Sequence, residues 1–127
     1  MRFSYISFRS KYFPIIPVTP LVNSTTFETN AIVDSGATLS LFHAPIARDL
    51  GIDVEAGEKH VFQGVSAKLI GYIHNIKMLI AGKEINCKVA FSDELSTSFN
   101  LLGRETVFAK FIIIFNEKDR ELRIESI

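Results

Sequence analysis

At 127 residues the chain can enclose one substantial core but not two full lobes. Apolar residues make up 47% of it, including 11 Phe, and 14 Lys plus Arg balance 14 Asp plus Glu, so nucleic acid is excluded as a main partner for want of a basic surplus to face the phosphates. No run reaches the roughly 18–20 apolar residues of a membrane span, and residues 1–7 lack the unbroken apolar stretch of a signal peptide, which leaves no membrane partner and a cytoplasmic protein as the default expectation.

Arg2, Arg9 and Lys11 precede the first acidic residue, Glu28, and residues 1–13 read as a solvated N-terminal arm of a single domain spanning 1–127. Residues 26–50 read as a strand, a tight turn at Asp34-Ser35-Gly36 and a short helix. That helix spans Ala44 to Leu50, with Pro45 where a first turn tolerates it, Gly51 where a helix ends, and Ile46 and Leu50 on one face. Ile76, Met78 and Ile80 alternate with Lys77 and Leu79, Ala81-Gly82-Lys83 turns, and period-2 alternation resumes through Phe91, so 72–91 reads as a hairpin. Cys87 lies on its apolar face as a buried, inert thiol, and a single cysteine excludes an internal disulfide. A second, weaker helix is expected over about Arg104–Lys110, with Val107, Phe108 and Phe111 inward. Phe111 to Phe115 then forms a strand, residues 116–119 a polar turn, and Leu122 and Ile124 alternate with charges to the end.

Residues 84–110 faintly repeat 26–50: strand, glycine turn (Leu101-Leu102-Gly103), helix. Two such halves would set two glycine turns side by side at the centre of a barrel. In the first, an apolar β-rich run, Ala31-Ile32-Val33, delivers Asp34 into a turn where Gly36 lets another backbone approach. Taken alone, Asp-Ser-Gly is also an ordinary turn composition.

Taken with its surroundings, the chain resembles the retropepsin family of aspartic proteases. Ile32-Val33-Asp34-Ser35-Gly36-Ala37 matches the family signature of two apolar residues, Asp, Thr or Ser, Gly and Ala. Leu101-Leu102-Gly103-Arg104 matches its second mark, and Phe62 to Tyr72 lies where the family places a flap hairpin, here about 58–72. The resemblance covers roughly residues 14–125. It implies an all-β, closed barrel of the acid protease fold with one or two short helices. It implies an endopeptidase acting on extended polypeptides, with Asp34 as the catalytic residue and no cofactor or metal. Gly36, Ala37, Thr38, Gln63, Gly64, Val65, Ser66 and Leu69 would meet substrate, and Ser35, Leu101, Leu102, Gly103 and Arg104 would support the site.

The family's chemistry uses two aspartates that share one proton and hold a water. No other aspartate here (Asp49, Asp53, Asp93, Asp119) is followed by Ser/Thr-Gly, so the second carboxylate is expected from a homodimer mate. Two positions depart from the pattern. Thr38 stands where retroviral members often carry an Asp that pairs with the second-motif arginine, so Arg104 needs another partner. The flap tip has Ser66 and Ala67 where relatives often have glycine. Ala37 lacks the hydroxyl of pepsin-like relatives, and the expected optimum is mildly acidic, roughly pH 4–6.

Other chemistries fit less well. Gly64-Val65-Ser66-Ala67-Lys68 lacks the closing glycine of a serine-hydrolase elbow. His43, His60 and His74 fall at no short metal-ligand spacing. A catalytically silent dimer that binds peptides on the same fold is the alternative function; Val65, Leu69 and Ile70 are the apolar candidates for gripping a peptide.

Overall fold

The computed structural model describes residues 1–64 and 68–127. In chain order these form β1 (Arg2–Ser4), β2 (Ile6–Phe8), β3 (Lys11–Phe13), β4 (Ile15–Val22), β5 (Thr25–Thr26), β6 (Thr29–Val33), β7 (Ser40–His43), helix α1 (Ala44–Asp49), β8 (Glu58–Gln63), β9 (Lys68–Ile80), β10 (Lys83–Ser92), β11 (Asn100–Leu102), β12 (Phe111–Asn116) and β13 (Glu121–Ser126). Single 3-10 turns lie at Val54–Ala56 and Phe108–Lys110. No helix among the described residues is long and apolar enough to cross a membrane.

The expected period-2 hairpin is the spine of the molecule. β9 and β10 pair antiparallel from Lys83↔Ile80 to Phe91↔Tyr72, turning through Ala81 and Gly82, both with positive φ. Their inward side chains, Ile76, Met78, Ile80, Ile85, Cys87 and Val89, are buried, and Lys77 and Leu79 are exposed. β4, β6, β11, β7, β10 and β9 hydrogen-bond in that order. β9 then returns to β4 through the register Val18↔Ile80 to Leu21↔Lys77, closing six strands into a barrel. Closure removes the open edges that a flat sheet would present. Phe42 and Phe91 meet edge to face inside it, 6.3 Å apart. Fully burying each contributes roughly 1.5–3 kcal/mol.

Helix α1 forms where the proline and glycine signals place it. Pro45 occupies the first turn, Ala44, Ile46 and Ala47 are buried, and Gly51 follows at φ 78°. The expected helix over 104–110 does not form. Thr106 sits at φ 67°, a conformation that a β-branched residue adopts only at a cost, and its hydroxyl accepts from the Lys88 N–H. The segment is therefore a chain of turns ending in the short 3-10 turn, although Val107 and Phe111 are buried as expected.

Residues 1–13 also differ from a solvated arm. Arg2, Arg9 and Lys11 are exposed, but β1 pairs with β13 (Phe3↔Leu122), Tyr5 is buried, and β2 and β3 form a small hairpin turned at Arg9 and Ser10. Phe8 packs edge to face on Phe99, and the Arg120 guanidinium lies 3.8 Å over the Tyr12 ring. These contacts support a hairpin that two strands alone could not stabilise.

Candidate active site

β6 and β11 lie parallel and side by side, with Leu101 opposite Ile32 and Leu102 opposite Val33. The two glycine turns therefore emerge together, as the faint repeat suggests. Buried Ala31 and Val33 anchor β6, and Asp34 leaves it half-exposed at the mouth of the first turn. The Asp34 N–H donates to the Leu102 carbonyl at 3.0 Å. The Gly36 N–H donates to Asp34 Oδ1 at 2.9 Å and the Ala37 N–H to the Asp34 carbonyl at 3.2 Å. These bonds hold one carboxylate oxygen toward its own turn. Oδ2 has no protein partner among the described residues.

The second turn braces the first from behind. The N–H groups of Arg104 and Glu105 donate to the carbonyls of Ala37 and Thr38 at 2.9 and 2.8 Å. Gly103 is buried and donates to Ser40 Oγ at 3.0 Å. A Cβ at 103 would stand 2.4 Å from the Leu39 carbonyl carbon and 2.8 Å from the Ser40 nitrogen, so the crossing admits only glycine. Arg104 takes part through its main chain. Its guanidinium is exposed and makes no ion pair or hydrogen bond among the described residues. Ser35 is likewise exposed, and its side chain makes no hydrogen bond among the described residues.

Two polar residues with structural weight here escape a sequence reading. Ser40, fully buried, supplies the acceptor for Gly103. Asn100, also buried, accepts from the His43 N–H at 2.9 Å and donates to Thr29 Oγ1 and the Asn30 carbonyl, tying β6, β7 and β11 together beneath the turns. Both stand beside a recognisable motif, Ser40 just after Asp-Ser-Gly-Ala-Thr and Asn100 just before Leu-Leu-Gly. A lone polar residue in an apolar strand was the available signal.

A cleft of about 520 Å³ opens over this platform. It is lined by Gly36, Ala37, Thr38, Leu39, Leu41, Leu101 and Glu105 from the two turns and β7, and by residues 60–63 of β8. Of the flap residues expected to meet substrate, Gln63 lines the cleft, while Gly64 and Leu69 lie outside its wall. Val65 and Ser66, also expected to meet substrate, fall outside the described residues. The apolar lining comes from Leu39, Leu41, Val61, Phe62 and Leu101, not from Leu69 or Ile70. At the rim Glu105 pairs with Lys88 at 3.3 Å, and His60 packs edge to face on Phe62. Away from the cleft, burial pushes the Cys87 thiol up to about 12, so it stays protonated and unreactive at neutral pH. His74 is engaged with the Val54 carbonyl at 2.8 Å.

A family model described as aspartyl protease matches residues 18–106, a span that includes both glycine turns and the cleft walls. No curated protein matches the chain in sequence. Among solved structures, a retropepsin-like aspartic protease from Rickettsia conorii superposes with a TM-score of 0.70, over 98% of this chain and 89% of that one, at 18% identity. That likeness establishes the fold: an all-β, retropepsin-like closed barrel. With the match across most of its length, the chain belongs to the aspartyl protease family.

Proposed function

We propose that the protein is an aspartic endopeptidase whose active site is assembled from the Asp34 residues of two identical chains. The observation that carries this reading is the position of Asp34. Its Oδ1 is fixed by its own turn, its Oδ2 has no partner among the described residues, and the following residues of the same turn, Gly36 and Ala37, line the cleft. In the assembled pair, the ionised carboxylate takes a proton from a water held between the two. The oxygen of that water attacks the scissile carbonyl, and the protonated partner donates to the carbonyl oxygen. Collapse of the tetrahedral intermediate, with a proton passed to the departing nitrogen, breaks the C–N bond and restores the shared proton.

Two surface features support the assembly and the substrate. β12 is the outer strand of the sheet β1-β13-β12 and exposes Ile112 and Ile114, an apolar edge suited to a second copy. β8 is the outer strand of the large sheet and lines the cleft with four consecutive residues, so an extended peptide can add to it as a further strand, its side chains meeting Leu39, Leu41, Phe62 and Leu101. The test is cleavage of a mixed peptide library by the wild type and by Asp34→Asn. The expected result is cleavage abolished by the substitution. Tight binding of peptides with no cleavage by the wild type would favour the silent binder.

A further inference from the structure

β9 takes on its neighbours in succession within one sheet. Its first residues, from Lys68, pair only with β8, and from Tyr72 onward it also pairs with β10. The point where the wider sheet narrows to a two-stranded ribbon is therefore just before Tyr72. Continuing the β9–β10 register would set Asp93 opposite Ile70, but the chain leaves the ladder there. Asp93 turns outward to form a two-pronged ion pair with Arg48 of α1, at 2.9 and 2.6 Å.

The main-chain groups of Ile70 that the ladder abandons are taken up by side chains. Ser92 Oγ donates to the Ile70 carbonyl at 2.5 Å, and Glu94 Oε2 accepts from the Ile70 N–H at 3.0 Å. The Glu94 N–H donates to Ser92 Oγ at 3.0 Å, which closes a ring of three bonds. On its other side Ile70 stands opposite Val61 of β8, and Val61 is part of the cleft wall. Phe62 lies against Gly71, where an added Cβ would approach the ring to 3.1 Å. A continuous path thus runs from α1 through Asp93, Glu94 and Ile70 to the wall of the cleft.

We propose that Ser92 and Glu94 form a latch that sets the angle at which the β8–β9 ribbon leaves the barrel, making Glu94 a positioning residue for peptide binding. A backbone ladder at this point would fix the ribbon rigidly. A side-chain latch holds the same two groups with bonds that open locally, without disturbing the barrel. The effect on peptides rests on the function proposed above; the latch itself does not. Neither residue touches the cleft, so the consequence is expected in peptide binding more than in bond breaking.

The experiment compares Glu94→Ala with Glu94→Gln, which keeps a carbonyl oxygen at the same reach. Amide hydrogen exchange is measured at Ile70 and along residues 58–63, with residues 76–80 of the same strand as internal reference. Exchange at Ile70 and along β8 is expected to quicken about tenfold in Glu94→Ala and to return toward wild type in Glu94→Gln, with the reference amides unchanged. On a fluorogenic peptide chosen from the library, KM rises about tenfold in Glu94→Ala while kcat is largely kept. Unchanged exchange at Ile70, or equal acceleration at the reference amides, would overturn the latch. If the wild type cleaves no peptide, the peptidase reading falls alone, and the exchange data still decide the latch.

Discussion

The two glycine turns share a pattern and differ in everything that chemistry uses. The turn at Asp34-Ser35-Gly36 is open. Its residues are exposed or half-exposed, and a Cβ at Gly36 would meet only the Asp34 carboxylate at 3.3 Å. The turn at Leu101-Leu102-Gly103 is closed, with Leu102 and Gly103 buried and a Cβ at 103 driven into main-chain atoms. One turn presents a carboxylate and the other locks it in place. Under the proposed function, such a chain supplies one carboxylate of an aspartic dyad, and a second copy must supply the other.

The largest expected effect falls on the open turn. Asp34→Asn should lower peptide cleavage by about 10²–10⁴-fold or more, because the substitution removes acid–base chemistry and keeps shape. The melting temperature should stay near wild type, since the side chain makes a single local hydrogen bond. Near-normal turnover would break the assignment.

Glycine substitutions sharpen the contrast in stability. Gly103→Ala should cost more than about 3 kcal/mol, the upper end of ordinary overpacking, because main-chain atoms cannot give way. Gly36→Ala should cost about 1 kcal/mol or less, since a carboxylate can rotate aside. Denaturant titration of both variants measures the difference, and equal costs would contradict the division of roles. Ser40→Ala should fall between them, at about 1–3 kcal/mol, by leaving the buried Gly103 N–H without an acceptor.

The smallest effect on a single chain is expected at Arg104. Its guanidinium is exposed, so Arg104→Ala should change monomer stability by no more than about 0.5 kcal/mol. Weakened self-association, read by sedimentation across a concentration series, would place the guanidinium between copies. If assembly is also unchanged, Arg104 is a solvated surface residue.

Much of this arrangement was legible in the sequence because its signals are local. Period-2 alternation marks β9 and β10, Pro45 and Gly51 bracket α1, and the two glycine motifs name the turns. β4 was hidden because Pro17 and Pro20 weaken its strand pattern, yet both sit in paired positions, opposite Asn30 and Met78. The failed helix at 104–110 shows the reverse error, where an inward apolar pattern formed through turns once Thr106 took a positive φ. The roles of Ser40, Asn100 and Glu94 depend on partners from 24 to 71 residues away in sequence. Only register brings those partners together, and local composition does not encode register.

The central claim is that two chains each supply one Asp34 to a single active site, and mixing tests it most directly. Wild type and Asp34→Asn are combined in equal amounts, allowed to exchange subunits, and assayed at fixed total protein on one peptide. Random pairing into twofold dimers leaves about a quarter of the wild-type activity, since a mixed pair carries one working carboxylate. Activity equal to half that of the wild type, linear in the wild-type fraction, would mean that each chain works alone and would contradict the account.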